Sequence, residues 1–413
     1  MSAIIKRFCS MLSRAKRSED GSVLIIFALS AMVLLGTLAM SLDFGLAYSE
    51  HDRLQKATDA AALAAATMLD GTDAEREARG TNVFKANYKE NAASNFTIKI
   101  ENGSGASRVV HANVKRSLQT HILPLFGYPK LDLNAETRSP IPRLLDVETV
   151  FVLDYSDSMI ENQKYVRMKD AAEALIDTLS MNGENSRAKF SVVPFAAMVK
   201  ANLPSWAKRT DMRTDDCTQD RRAPYNAQET PPSSSNDSRW GEVTSGHRCR
   251  DMGKLGLDVV NLTNDYASVK TKIAAMKPYM WTHIAVGAEL GWQMISPSGV
   301  FGGAAAYDPN TTIKVMVLLT DGMQTAPGWG SDGKQTVQHA EDNLQALCSG
   351  MKAKGIKVFT IGYDLNDNRT KKLLESCAGR DMFYDANDIQ NGLMATFSDI
   401  GERVRSQMVR LSE

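Results

Sequence analysis

The sequence predicts an α/β protein in three parts: a single N-terminal transmembrane helix, a small α+β region, and a doubly wound, mostly parallel sheet. Three observations carry that prediction. An uncharged run, Gly21 to Leu42, lies between Asp20 and Asp43. From residue 146 onward, apolar β-like runs alternate with helical stretches, the pattern of a parallel sheet between helix layers. Two of those runs end in an aspartate, Asp154 and Asp321, at the strand ends where open α/β sheets place their sites.

Composition narrows the class. A length of 413 residues suggests two or three domains. Hydrophobic residues are 43% and charged residues 23%, ordinary globular usage that excludes a mainly disordered, collagen-like or polytopic membrane chain. The 48 basic and 48 acidic side chains cancel, which leaves no electrostatic footprint for a nucleic-acid binder.

The run from Gly21 to Leu42 has 22 residues. As a helix at ~1.5 Å per residue it is roughly 33 Å long, enough for a hydrocarbon core of ~30 Å. Lys6, Arg7, Arg14, Lys16 and Arg17 precede it, against Glu19 and Asp20. The positive-inside rule therefore makes residues 1–20 a cytoplasmic basic segment and puts the rest of the chain across the membrane. The alternative is a cleaved signal peptide with Ala39-Met40-Ser41 as its small-residue site. The apolar run is longer than the usual signal core, which favours a retained anchor. Of five cysteines, Cys9 lies on the cytoplasmic side and Cys217, Cys249, Cys348 and Cys377 on the exported side. Four cysteines in an oxidising compartment suggest two disulfides, and we prefer the neighbour pairing Cys217–Cys249 and Cys348–Cys377 among three connectivities. Buried free thiols are the alternative.

Residues 43–140 read as an extended helix followed by a small α+β region. Ala62, Leu63, Ala65, Ala66 and Leu69 form an apolar stripe at helical spacing, so the membrane helix continues outward. Two β-like runs follow, Phe96–Ile100 and Val109–Val114, around a turn at Gly103, Ser104 and Gly105. A short helix near Thr120–Phe126 and a strand at Leu131–Thr137 complete this region, and Pro140 and Pro142 mark a linker.

Residues 146–413 form the sheet domain. Strands are expected at Glu148–Leu153, Phe190–Phe195, Ile313–Thr320, Ile356–Ile361 and Met382–Tyr384. Helices are expected at Val166–Leu179, Tyr266–Met276, Ile284–Ile295, Val337–Lys354, Arg369–Cys377 and Asp388–Met408. Continuous apolar strands such as Val315–Leu319 imply burial on both faces. Three long loops interrupt the pattern: Asn202–Asp258, Ser296–Thr312 and Gln324–Gln335. The first is an insertion of about 57 residues holding Cys217 and Cys249; loops this long are functional or disordered. Ser298–Tyr307 and Pro327–Gly333 are Gly-rich and expected to be mobile.

The first strand ends in Asp154-Tyr155-Ser156-Asp157-Ser158, and a later one in Thr320-Asp321-Gly322. Thr282 opens the helix near Ile284. Carboxylate and hydroxyl oxygens converging at one sheet edge suit a hard octahedral cation, Mg2+ or Mn2+. The D-x-S-x-S run, the separate Thr and the later T-D-G resemble the metal-ion-dependent adhesion site of von Willebrand factor type A domains. That resemblance implies Ser156, Ser158 and Thr282 as direct ligands, with Asp154 and Asp321 acting directly or through water. It also implies a protein partner whose Asp or Glu completes the coordination. The competing reading makes Ser158 and Thr282 ordinary helix N-caps. Asp157 is expected to point away, and His283 to be a packed helix residue.

The block DGSVLIIFALSAMVLLGTLAMSLDFGLAYSEHDRLQKATDAAALAAA is similar to the anchor of TadG-like proteins of bacterial tight-adherence (Flp) pilus systems. Related pseudopilins carry a Glu five residues after a cleavage Gly; counted from Gly21 that position is Ile26, which argues against processing. The resemblance implies an inner-membrane, single-pass protein with its bulk in the periplasm, working with other pilus components. Its role would be non-enzymatic, in pilus assembly or adhesion; the alternative is a general periplasmic maturation or chaperone-like factor of the same fold. No G-x-S-x-G, H-E-x-x-H or Walker motif occurs, and a Ser, Thr and Asp site lacks a general base near pH 7, so no enzyme is expected.

Overall fold

A computed structural model describes residues 20–68, 71–88, 95–102, 108–183, 187–210, 217–241, 249–388 and 391–410. The basic residues before Asp20, Leu69 and the turn at residues 103–105 lie outside them. The chain divides into two compact units, one ending at Arg143 and the other spanning Leu144–Arg410.

In the first unit, helix α1 (Asp20–Ala66) runs 47 residues without a break, roughly 70 Å at ~1.5 Å per residue. Its apolar run has the length and composition to cross a membrane, and the large side chains from Val23 to Leu42 are exposed. Beyond Asp43 the same helix becomes a core element. Leu54, Ala57, Ala61, Ala62, Ala65 and Ala66 are buried, whereas Leu63 faces out, so the buried stripe is shifted from the one the sequence suggests. Helix α2 (Asp73–Asn87) packs beside it and was not expected. A capping box starts it: Thr72 accepts from the Glu75 N–H, and the Glu75 carboxylate accepts from the Thr72 N–H. Strands β1 (Phe96–Asn102), β2 (Arg108–Gln119) and β3 (Lys130–Pro140) form an antiparallel sheet in the order β1-β2-β3. Val110, Ala112 and Val114 alternate inward from β2. Buried Glu50 of α1 accepts from Arg116 of β2 at 2.5 Å and from the Tyr88 hydroxyl. The expected linker at Pro140 is a correction, because β3 runs through it with Pro140 opposite Val109. The helix expected over Thr120–Phe126 is a single 3-10 turn, Leu123–Phe126.

The second unit is a six-stranded mixed sheet with helices on both faces. Its strands are β4 (Asp146–Asp154), β5 (Ala188–Phe195), β6 (Val260–Thr263), β7 (Thr312–Thr320), β8 (Lys357–Tyr363) and β9 (Phe383–Ala386), in the order β9-β8-β7-β4-β5-β6. All neighbours are parallel except the β5–β6 pair. The helices are α3 (Lys164–Leu179), α4 (Tyr266–Ala275), α5 (Ile284–Ile295), α6 (Val337–Ala353), α7 (Asn368–Cys377) and α8 (Gly392–Met408).

Strands β4 and β7 are buried along nearly their whole length, which requires apolar cover on both sides. On one face Val150, Val152 and Met316 meet α5. A methyl group on Gly291 would lie 2.5 Å from Val152 Cγ2, and one on Gly287 2.7 Å from the Phe195 ring, so these two glycines let α5 press onto the sheet. On the other face Phe151 stacks with Phe190 and Phe397 at centroid distances of 6.0 and 6.4 Å, bringing in α8. Each such fully buried aromatic or aliphatic side chain contributes about 1.5–3 kcal/mol.

The described part of the Asn202–Asp258 insertion is folded, which sets aside the disordered alternative. Fully buried Arg221 anchors it. Arg221 pairs with Glu289 of α5 at 2.5 Å and donates to the carbonyls of Gln228 and Thr230. Its guanidinium also lies 4.5 Å from the buried Trp240 ring. The Pro327–Gly333 stretch carries one strand of a small hairpin, Gly328–Trp329 pairing with Gln335–Thr336. Tyr307, in the second long loop, is held by Trp292 Nε1 and Glu229. Two disulfides, Cys217–Cys249 and Cys348–Cys377, close this unit in the neighbour pairing.

Candidate metal centre

Two parallel strands deliver the two carboxylates to one edge. Leu153 of β4 is in register with Leu319 of β7, so Asp154 faces Thr320 and Asp321 follows at once. Asp154 is fully buried, and both of its oxygens are engaged. Oδ1 accepts from the Ser156 N–H at 2.8 Å, and Oδ2 from the Thr320 hydroxyl at 2.6 Å. Burial, followed by the nearby Asp321 charge, pushes its carboxyl up to about 7.

The chain then turns so that both serines face inward. Ser156 Oγ and Ser158 Oγ lie 3.0 Å apart, and Ser158 Oγ donates to Asp321 Oδ1 at 2.6 Å. Asp157, between them, points away: its Oδ1 accepts from the Met280 N–H at 2.8 Å. Thr282 approaches from a third loop, fixed by its N–H to Thr325 Oγ1 at 2.9 Å. A methyl group on Gly322 would sit 3.5 Å from Ser158 Oγ and 3.7 Å from Thr282 Oγ1. Gly322 therefore marks where the three loops meet.

The capping alternative can be judged from the helix starts. Helix α5 is capped by buried His283, whose ring accepts from the Val286 N–H at 3.4 Å; Thr282 is one residue too early. His283 is thus a cap rather than a helix-interior residue. Ser158 lies within a 3-10 turn, Asp157–Gln163, and α3 starts only at Lys164. Neither hydroxyl is spent on a helix end.

Lys164 is the residue that the sequence reading missed. Its buried ammonium lies 2.5 Å from Asp321 Oδ2 and 3.7 Å from Asp364 Oδ2. A signal was available: a lysine at the first position of a helix opposes the helix dipole, so something other than helix formation keeps it there. The backbone around it is also held in an unfavourable region. Seven described non-glycine residues have positive φ, and Asn162, Gln163, Met280 and Asp364 among them lie on the loops around this site. Such conformations cost about 1–3 kcal/mol each and concentrate at functional sites.

Ser158 donates its proton to Asp321, which leaves the oxygen lone pairs for a cation. The cluster thus sets two carboxyl groups, Asp154 and Asp321, near one lysine, Lys164. The donor set is hard and oxygen-only, and it fits Mg2+ or Mn2+. Among the described residues no group of three or more His, Cys, Asp or Glu side chains is placed to hold a metal ion, so such an ion would depend on the hydroxyls. Ile160, Trp281 and Met323, each within two residues of Ser158, Thr282 or Asp321 in sequence, are more than half exposed.

A family model described as "Putative Flp pilus-assembly TadE/G-like" matches residues 21–68. No curated protein matches the chain. Among solved structures, the open conformation of the pilus adhesin SpaC from Lactobacillus rhamnosus GG is similar over 76% of this chain and 34% of its own, at 12% identity and a TM-score of 0.40. Three N-terminal domains of the type V pili tip protein Mfa5 from Porphyromonas gingivalis match at 12% identity and 0.37, over 74% and 56%. Proximal thread matrix protein 1 from the mussel byssus matches at 17% identity and 0.35, over 63% and 47%. The chain thus spans less than two thirds of each of these structures.

Proposed function

We propose that the chain is a membrane-anchored, non-enzymatic protein of Flp (tight-adherence) pilus assembly or adhesion. Its second unit takes one Mg2+ or Mn2+ at Asp154, Ser156, Ser158, Thr282 and Asp321, as in a von Willebrand factor type A domain. Through that ion it engages an Asp or Glu of a protein partner. The observation that carries the metal reading is the meeting of three hydroxyls and two carboxylates from three loops, with Ser158 and Thr282 free of capping duty. The TadE/G-like match over residues 21–68 supports the pilus assignment and the anchor. In this reading the helix crosses the bacterial inner membrane, with the N-terminus cytoplasmic and the bulk of the chain periplasmic.

Exposed apolar side chains close in sequence to the proposed ligands narrow the partner. A single carboxylate completing the coordination of an ion is shared by any acidic peptide. Ile160, Trp281 and Met323 select one whose acidic residue is flanked by bulky apolar side chains. The test is calorimetric titration of the purified full chain, stripped with chelator, with Mg2+ and Mn2+, beside Asp154→Ala. One-to-one binding lost in the variant supports the reading. A folded wild-type chain that binds neither ion overturns it.

A further inference from the structure

We propose that the loop joining β2 to β3, residues 120–129, is a second membrane contact: its tip, Leu125-Phe126-Tyr128, inserts into the leaflet from which α1 emerges. The proposal rests on α1 being a membrane anchor and adds a contact outside it.

The loop is pinned to the helix where charge first returns after the apolar run. Asp43 accepts the N–H groups of His121, Ile122 and Leu123 at 3.0, 2.8 and 2.9 Å. From there the loop runs back along the helix toward the bilayer. A methyl group on Gly36 would meet the Phe126 ring at 3.9 Å. Gly36 lies seven residues before Asp43 within the apolar run, about 10 Å along the helix axis. It shares a helix face with Met40, Asp43, Ala47, Glu50 and Leu54, the face that the rest of the unit covers. The tip is nevertheless open on its outer side: Leu125 is 84% exposed, Phe126 51% and Tyr128 63%.

An irregular backbone enters an apolar layer only if its polar groups are already paired. Here they are. The Thr120 N–H donates to Pro129 O, residues 121–123 donate to Asp43, and residue 124 is a proline with no N–H. Leu125, Gly127 and Tyr128 donate to the carbonyls of Ile122, Pro124 and Leu123, and the Tyr128 carbonyl accepts from the Thr120 hydroxyl at 2.7 Å. Gly127, at φ 89, permits the left-handed turn that closes the tip. On α1 itself Phe44 and Tyr48 are exposed just above the apolar run, so aromatic rings mark the interface on the helix as well as on the loop.

The occupant that fits is lipid: acyl chains against Leu125 and Phe126, with Tyr128 at headgroup level. The experiment uses the full chain with Cys9→Ser, which leaves only the four disulfide-bonded cysteines. A single cysteine is placed by Leu125→Cys, Tyr128→Cys, Lys130→Cys or Leu29→Cys. Each variant carries an environment-sensitive fluorophore and is reconstituted into phosphatidylethanolamine–phosphatidylglycerol vesicles containing acyl-chain nitroxide lipid. The expected result is loss of fluorescence at 125 and at 29, a partial loss at 128, and none at 130. Quenching at 29 with none at 125 and 128 overturns the proposal and leaves the anchor standing. Absence of quenching at 29 overturns the anchor reading itself. A blue shift at 125 without quenching means burial against protein, which also overturns the proposal.

Discussion

At the amino end of the central sheet, Lys314 of β7 stands opposite Glu148 of β4 and pairs with it at 2.5 Å. The ammonium also donates to Ile295 O at 2.8 Å, and Glu148 accepts from the Ala305 N–H at 2.8 Å. Both side chains are buried, one cation meets one anion, and the set is closed. At the carboxyl end of the same two strands, Lys164 pairs with Asp321 at the same 2.5 Å, but Asp154 is a second carboxylate and, among the described residues, no cation pairs with it. Hydroxyls surround it instead. The strands are the same and the first ion pair has the same length. What would separate a structural pair from the proposed metal site is therefore the surplus of oxygen acceptors, not the presence of buried charge.

The comparison would break first at Lys314. Removing one partner of a closed buried pair strands the other, so Lys314→Met is expected to cost about 3–5 kcal/mol in urea unfolding of the full chain. A cost near zero would mean the amino-end pair is not sealed. The next largest effect is on binding. Asp154→Ala should weaken Mg2+ affinity by about 100-fold or more, read by calorimetry, since even outer-shell changes cost about 10–100-fold. Lys164→Met should move affinity the other way. Loss of one positive charge beside Asp321 is expected to tighten Mg2+ binding about tenfold at low salt. Weaker binding instead would assign Lys164 to holding Asp321 in place. The smallest effect is at the rim. Trp281→Ala should leave Mg2+ affinity within about twofold, in keeping with the small effects of exposed substitutions. It should, however, reduce binding of an acidic peptide flanked by apolar residues.

The legible parts of the fold were those with strong apolar patterning. Strands such as Thr312–Thr320 are buried on both faces, and a run of six apolar or β-branched residues, Val315–Thr320, has few other destinations. Edge strand β6, Val-Asn-Leu-Thr, is short and half-polar, so it carries no such mark. Helix α2 was missed for a related reason. Its buried face is Arg76, Gly80 and Phe84, with a single large apolar residue among them, although Thr72 and Glu75 announced its start. The insertion hid its order because its centre is an arginine: Arg221 organises the segment by hydrogen bonds, which leave no hydrophobic period to read. Of the proposed site, the five oxygen-bearing residues were readable as candidates because Asp154 and Asp321 fall at strand ends and the hydroxyls in a recognisable spacing. Lys164 was not, because its partner is 157 positions away in sequence and only the sheet brings them together.

The unbroken run of α1 has a mechanical consequence. There is no linker between the stretch that would lie in lipid and the stretch that forms a hydrophobic core, since Asp20–Ala66 is one helix. A load applied to the first unit has no slack to take up and is delivered along the helix axis to the bilayer. Dragging the helix out of its unit would mean shearing Leu54, Ala57 and Ala61 past the strands they pack on, all at once rather than one by one. A tether built this way yields little before it fails.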